Sequence, residues 1–203
     1  KEQPAEKKTL CLGAWGDCDF FDVKGAIEAV GDAFGVKFAF RRAQKPFLHP
    51  GVTAEILLGE KIVGYLGELD PRLAAELAVE RKVYLAEFDY ETASRKFTDA
   101  TKYQGLPRFP AVRRDLALLV DENVPCGDIV ATVVHACRAV KDVQLFDVYR
   151  GGQVPAGKKS MAFTLTFEPE ASAEKALSPE AVDGFVRKIL GNLKHNLGVE
   201  IRM

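Results

Sequence analysis

The sequence predicts an α+β protein of two units, each built on a mainly antiparallel sheet. Three observations carry this prediction. The chain has 203 residues, of which 47% are apolar and 28% charged, enough for two cores of ordinary composition. Short alternating apolar segments are interspersed with helical ones. A polar stretch with glycine and prolines, residues 94–110, interrupts this pattern. We therefore place the first unit at 1–97, a linker at 98–108 and the second unit at 109–203.

In the first unit, strands, a hairpin and helices alternate without a regular strand–helix–strand repeat. This order favours an antiparallel α+β arrangement over a doubly wound one. The predicted elements are a strand at Thr9–Leu12, a helix over 21–34 that ends at Gly35, alternating residues Val36, Phe38 and Phe40, two strands joined by the turn Gly59-Glu60-Lys61, a helix from Asp70 to about Val79, and a strand at Val83–Phe88.

The second unit has a clearer pattern, with the order βαββαβ. Two βαβ halves with a hairpin-like middle are typical of the ferredoxin-like fold, which hosts many unrelated functions. The predicted elements are a strand with Leu116, Leu118 and Val120 on one face, a helix of about 11 residues around Ile129 and Val133, strands at Val143–Arg150 and Lys159–Phe167, a helix from Ser178 to Gly198, and a last strand at Val199–Arg202.

Composition excludes several classes of function. The net charge of −1 gives no general signal for nucleic acid or membrane, so an anionic partner must meet a local patch. No apolar run approaches the roughly 18 residues of a membrane span. The four cysteines form no C-x-x-C pair and the three histidines are scattered, so no metal site is expected. We expect a cytoplasmic protein that binds neither membrane nor DNA.

Catalytic motifs are missing from the sequence. The stretch GGQVPAGKKS, residues 151–160, is close to a phosphate-binding loop, but a strand follows where that loop needs a helix. Asp19 and Asp22 precede a helix and are interpreted as caps. His49 lies in a turn and is expected to bond locally. These residues predict no active site.

The densest cationic segments flank one pair of predicted strands. RFPAVRRD, from Arg108, enters the first strand of the second unit, and YRGGQVPAGKKS, from Tyr149, joins its second and third strands. In a ferredoxin-like sheet the first and third strands are antiparallel neighbours. Arg113 and Arg114 should therefore lie at the opposite end from Lys158 and Lys159. Spacing alone leaves two readings open: a solvated rim, or phosphate contacts on either side of a nucleic-acid strand.

At these residues the sequence resembles a known family. The stretches FPAVRRDLALLVDENVPCGDI, LFDVYRGGQVPAGKKSMAFTLTF and LSPEAVDGFVRKILGNLKHNLGVEIR are similar to the anticodon-binding domain of bacterial phenylalanyl-tRNA synthetase beta subunits. DFFDVKGAIEAV, FLHPGVTAEILLGEKIVGYLGELDP and VYLAEFDYE resemble the end of the same subunit's catalytic-like module. The family often has arginine after the His-Pro-Gly turn, where this chain has Val52.

The resemblance implies a C-terminal fragment: the end of an inactive class II synthetase-like module, then a ferredoxin-like anticodon-binding domain. It implies tRNA-Phe and an alpha subunit as partners in an alpha2-beta2 enzyme. ATP and Mg²⁺ would act at the alpha subunit, and this chain would hold no cofactor or catalytic residue. The chain also lacks the G-x-G-x-x-R element with which a working class II core holds ATP. The candidate tRNA-binding residues are Arg108, Phe109, Arg113, Arg114, Tyr149, Arg150, Lys158, Lys159, Ser160 and Thr164.

Alternation along the strands assigns these candidates different roles. Met161, Phe163, Leu165 and Phe167 should face the helices, which leaves a small, hydroxyl-rich open face. Ser160 and Thr164 would then supply hydrogen bonds. With Phe146 and Val148 as the buried pair, Tyr149 is predicted to carry the main stacking contact with a base. The alternative is that Tyr149 packs on the 151–157 loop. Asp115 either orients a neighbouring arginine or screens the repulsion between two. Two other functions remain open: a small-molecule regulatory domain and a module for subunit assembly alone.

Overall fold

Two antiparallel sheets organise the protein, and each has one face covered by helices. The structure, a computed structural model, describes residues 6–95, 108–169 and 175–202. Residue contacts divide the chain into the units Lys1–Lys102 and Tyr103–Met203. Both units are α+β, as the sequence predicts. Apart from Arg108, the predicted linker lies outside the described residues and stays a prediction. Within the described part of the chain, no helix is both long and apolar enough to cross a membrane.

The first unit is a five-stranded antiparallel sheet in the order β1-β5-β4-β3-β2. Helix α1 covers one face through Val23 and Ile27, which are buried with the inward residues of β3, β4 and β5. The predicted hairpin is confirmed, since Leu58 pairs with Lys61 across the turn. The elements are β1 Thr9–Trp15, α1 Phe20–Ala33, β2 Phe38–Arg42, β3 Leu48–Leu58, β4 Lys61–Leu69, α2 Pro71–Glu76, β5 Val83–Asp89 and α3 Tyr90–Ser94.

Local hydrogen bonds set the ends of the helices in this unit. Asp19 and Asp22 form a reciprocal capping box at the start of α1, as predicted. His49 also bonds locally, because its Nδ1 accepts from the Gly51 N–H at 3.0 Å. The prediction that α2 runs to Val79 is wrong. The helix ends at Glu76 because Ala78 takes a left-handed conformation (φ 53°) and the N–H of Val79 turns back to the Ala74 carbonyl.

The second unit has a four-stranded sheet in the order β7-β8-β6-β9, which is the predicted ferredoxin-like arrangement. Both helices pack on the same face. Their buried residues meet Met161, Phe163, Leu165 and Phe167 of β8, each at most 3% exposed. The elements are β6 Val112–Asp121, α4 Cys126–Ala136, β7 Val140–Tyr149, β8 Lys158–Phe167, α5 Pro179–Leu197 and β9 Glu200–Ile201.

A bulge in β7 overturns one prediction about the core. Leu145 pairs with Phe163 and Asp147 with the adjacent Ala162, so Phe146 is an extra residue between them. Phe146 is 57% exposed rather than buried, and Val148 is also exposed. The extra residue reverses the alternation of the strand beyond it, so that Tyr149 instead of Val148 pairs with Ser160 and shares its face of the sheet.

Gly64 should be essential to the stability of the first unit. A Cβ on Gly64 of β4 would lie 2.2 Å from the carbonyl oxygen of Glu87 and 2.5 Å from the Cβ of Phe88, both on the neighbouring strand. We expect Gly64→Ala to lower the free energy of unfolding by about 1–3 kcal/mol, because the two strands must separate to admit the methyl group. Urea unfolding followed by circular dichroism measures the change.

Gly25 provides the matched control in α1, since nothing lies within 4 Å of a Cβ added there. Gly25→Ala should raise stability by roughly 0.5–1 kcal/mol, because glycine loses more backbone entropy than alanine in a helix. A Gly64→Ala variant as stable as the unchanged chain would contradict the close approach of β4 and β5.

Candidate nucleic-acid interface

The open face of the second sheet is defined here as the side of β6 and β8 turned away from α4 and α5, and its β8 side chains are small. On β8 these are Ser160, Ala162, Thr164 and Thr166, which alternate with the buried apolar set. Ala117 of β6 pairs with Ala162 near the middle of the face. The predicted small, hydroxyl-rich surface is confirmed for β8. Such a surface lets a flat ligand approach the sheet closely.

Arg113 and Arg114 lie on opposite sides of this sheet. Arg113 pairs with Thr166 and is exposed on the open face. Arg114 points to the helical side, where its Nη2 lies 3.8 Å from a carboxylate oxygen of Asp183 on α5. The period of two in a strand separates neighbouring residues in this way. The two arginines form one cluster in the sequence, but only Arg113 lies on the open face.

Asp115 has a different partner from the one predicted. It lies opposite Thr164, and the threonine hydroxyl donates a hydrogen bond of 2.6 Å to its carboxylate. Among the described residues Asp115 forms no salt bridge with an arginine, so the first of the two roles left open for it finds no support in this structure. The bond also fixes the Thr164 hydroxyl as a donor to Asp115, which leaves its oxygen free to accept from a ligand.

Exposed ion pairs mark the opposite end of the open face. Arg150 follows β7, and its Nε donates to Glu122 at 2.9 Å. Lys158 begins β8, with its Nζ 3.8 Å from a carboxylate oxygen of Glu200. The sequence correctly placed Arg150 and Lys158 together, far from Arg113 along the strands. Each is already paired with an acid, so phosphate binding there must compete with a surface salt bridge.

Lys159 does not belong to this rim. It pairs with Val120 on the helical side of the sheet and is only 7% exposed. Its ammonium group donates to the backbone carbonyls of Glu122 and Val124, each at 2.9 Å. The expectation of a surface lysine is therefore wrong, for the same reason as with Arg114: residues next to each other in a strand face opposite ways. Lys159 holds the loop between β6 and α4.

Tyr149 is 38% exposed and lies at the end of the open face. Its hydroxyl lies close to Gly151, where an added Cβ would be 2.3 Å from the oxygen. The Cζ of Arg202 lies 5.1 Å from the centre of the tyrosine ring. Tyr149 therefore packs on the loop that follows it and against Arg202, the alternative that the sequence left open.

The remaining candidates differ in their access to solvent. Ser160, opposite Tyr149, is only 4% exposed, so its hydroxyl is mostly covered in this structure. Arg108 is exposed and Phe109 half-buried just before β6, at the Arg113 end of the sheet. Sequence reasoning missed Arg202. Alternation in the last strand puts Glu200 and Arg202 on one side, but only the pairing of Glu200 with Leu119 shows that this side belongs to the open face.

The first unit also has a group of titratable side chains on one sheet face, but their pKa values do not suit catalysis. The Tyr65 hydroxyl donates to Glu87 at 2.8 Å. Burial first, and then Glu87, raise the pKa of Tyr65 to about 12. Burial and the same carboxylate raise the pKa of the neighbouring Cys11 thiol. Both groups stay protonated near neutral pH, whereas a base or thiolate nucleophile must lose its proton there.

Comparison with known families matches both units. Residues 107–202 match the ferredoxin-fold anticodon binding domain, and residues 1–90 match the phenylalanyl tRNA synthetase beta chain CLM domain. The two matches occur in one chain, in the order that the resemblance implied. The chain belongs to the phenylalanyl-tRNA synthetase beta-chain family.

Three relatives illustrate the similarity, and each is named a phenylalanine–tRNA ligase beta subunit. The Clostridium acetobutylicum protein is 36% identical over 204 residues, covering 99% of this chain and 25% of the relative. The Geobacillus kaustophilus protein is 36% identical over 98% of this chain and 26% of its own length. The Staphylococcus aureus N315 protein is 40% identical over 81% of this chain and 20% of its own length. The chain spans about a quarter of the first relatives it matches.

The two lysines at the start of β8 should behave differently on substitution. Lys159→Ala removes a charged donor from two carbonyls, and we expect it to lower the free energy of unfolding by about 1–3 kcal/mol. Lys158→Ala removes only a surface salt bridge with Glu200 and should change the free energy of unfolding by less than about 0.5 kcal/mol. Urea unfolding of both variants tests this difference. Equal stabilities would contradict the structural role of Lys159.

Proposed function

We propose that the second unit binds the anticodon stem-loop of tRNA-Phe on its open face. The observation that carries this proposal is a narrow, small-residue sheet surface with cations at both ends. Arg113 lies at one end, and Arg150 and Lys158 at the other, about 20–25 Å away at the usual rise of a strand. Phosphate contacts at two separated points fix the register of a nucleic-acid strand across the surface between them.

The chemistry of the open face suits RNA bases at short range. Ala117 and Ala162 add little height to the sheet, so a base can lie close to the backbone. The Thr164 oxygen is available as an acceptor, because its hydrogen is directed at Asp115. Tyr149 supplies an aromatic ring at the end of the face, and single-stranded RNA is commonly bound by stacking on such rings. Of the predicted residues, Lys159 and Arg114 are withdrawn from this proposal because both lie on the helical side of the sheet, and Ser160 is nearly buried.

For the first unit we propose a role in subunit assembly with the alpha subunit of an alpha2-beta2 phenylalanine–tRNA ligase. The match to the beta-chain CLM domain supports this, together with the relatives named as beta subunits. In this proposal ATP and Mg²⁺ act at the alpha subunit, and the whole enzyme works in the cytoplasm. In the same proposal, the first unit is the end of a class II synthetase-like module that has no catalytic activity.

Salt titration tests whether RNA is bound through phosphates. The chain should bind tRNA-Phe transcripts with an affinity that falls steeply as salt rises, because neutralised phosphates release counterions. Arg113→Ala should lower the slope of log K against log salt by about 0.7–0.9. It should weaken binding to transcripts of differing anticodon about equally, since a phosphate carries no sequence information. Arg114→Ala should have a smaller effect, because Arg114 faces α5.

Arg187→Ala is the matched control for charge. Arg187 is an exposed arginine on α5, which packs on the other face of the sheet. An equal loss on Arg187→Ala and Arg113→Ala would contradict the open face as the binding surface. Binding of free phenylalanine without RNA would favour the regulatory alternative, and binding of neither would favour assembly alone.

The purified chain should not catalyse phenylalanine-dependent exchange between ATP and pyrophosphate. It lacks the glycine-rich arginine element that a class II core uses to hold ATP. Exchange measured on chain purified free of host synthetase is the test. Phenylalanine-dependent exchange that survives this purification would overturn the assignment of catalysis to the alpha subunit.

A further inference from the structure

Arg202 follows the short last strand and lies across one end of the open face. Its backbone N–H donates to the Ala117 carbonyl at 2.9 Å, which anchors it beside β6. The pairing of Leu119 with Glu200 places Arg202, two residues further on, on the same side. The side chain reaches Tyr149 of β7, the opposite edge strand. On the strands between, this face carries the small residues Ala117, Ala162 and Ser160 beside the larger Leu119.

Two side chains, those of Gln153 and Tyr149, hold the Arg202 guanidinium in place. Nη2 donates to the Gln153 side-chain oxygen at 3.0 Å. The Cζ lies 5.1 Å from the Tyr149 ring centre, within the range of a cation–π contact. Tyr149 can adopt this position only because residue 151 is glycine. The guanidinium is thus ordered before any ligand arrives, so less entropy is lost on binding.

The charge of Arg202 is not neutralised by its neighbours. Its two side-chain partners, Gln153 and Tyr149, are both uncharged. Among the residues that the structure describes, Arg202 forms no salt bridge, whereas Arg150 pairs with Glu122 and Lys158 with Glu200. A planar guanidinium has five N–H donors, of which Gln153 takes one. Several donors and a full positive charge therefore remain at the edge of the open face.

We propose that Arg202 is a phosphate-binding residue of the RNA interface, held in position by Tyr149 and Gln153. It would act at the end of the face where the sequence had placed Lys159, whose ammonium is buried under the sheet. This inference rests on the proposed function, because it names an additional contact for the same RNA. It predicts that Tyr149 contributes to binding through Arg202 as well as by contact with a base.

The test is binding of the tRNA-Phe anticodon stem-loop RNA at several salt concentrations. Arg202→Ala should weaken binding about ten-fold at low salt and lower the salt slope by about 0.7–0.9. Arg202→Lys should restore the slope, since lysine also binds phosphate as a point charge, but recover only part of the affinity because it lacks the planar fork. The loss on Arg202→Ala should shrink in a Tyr149→Ala background, since coupled residues are not additive.

Arg187→Ala on α5 again controls for the loss of one positive charge, and circular dichroism confirms that each variant is folded. If a folded Arg202→Ala variant keeps its affinity and slope while Arg113→Ala loses both, this inference fails and the proposed function stands. If affinity falls with an unchanged slope, Arg202 is structural and the inference also fails. If the unchanged chain does not bind the stem-loop, the proposed function and this inference fail together.

Discussion

The antiparallel pairing of β6 with β8 is the constraint on which the second unit depends. Ten consecutive residue pairs, from Val112–Phe167 to Asp121–Lys158, fix which side chains face the helices. A slip of one residue would turn the apolar set of β8 to solvent and bury its serine and threonines. The same register leaves the other face small and polar. The core and the candidate interface are thus two consequences of one ladder.

Periodicity predicted most of the fold because burial of one face imposes it on the sequence. The βαββαβ order, the hairpin at Gly59 and the capping box at Asp19 all follow from local patterns. The failures have local physical causes that a pattern does not reveal. Ala78 ends α2 in a conformation usually left to glycine, and Phe146 is an unpaired residue at one of two register shifts in β7.

The sequence predicted where the candidate site lies, but not which of the residues there face the ligand. The cations at both ends of β6 and β8 were visible in the sequence, as was the small face between them. Strand alternation, applied to the charged residues as it was to the apolar ones, would have separated Arg113 from Arg114 and withdrawn Lys159. Arg202 lies about 50 residues from its partners Tyr149 and Gln153 along the chain, so its place depends on tertiary structure.

Mapping of chemical shifts by nuclear magnetic resonance is the most direct test of the open face as an RNA surface. Addition of the tRNA-Phe anticodon stem-loop should shift resonances of Ala162, Thr164 and Arg113, all on the open face. Exposed residues of the helical face, such as Val134 and Arg187, should change little. Shifts concentrated on α4 and α5, with the open face unaffected, would contradict the account.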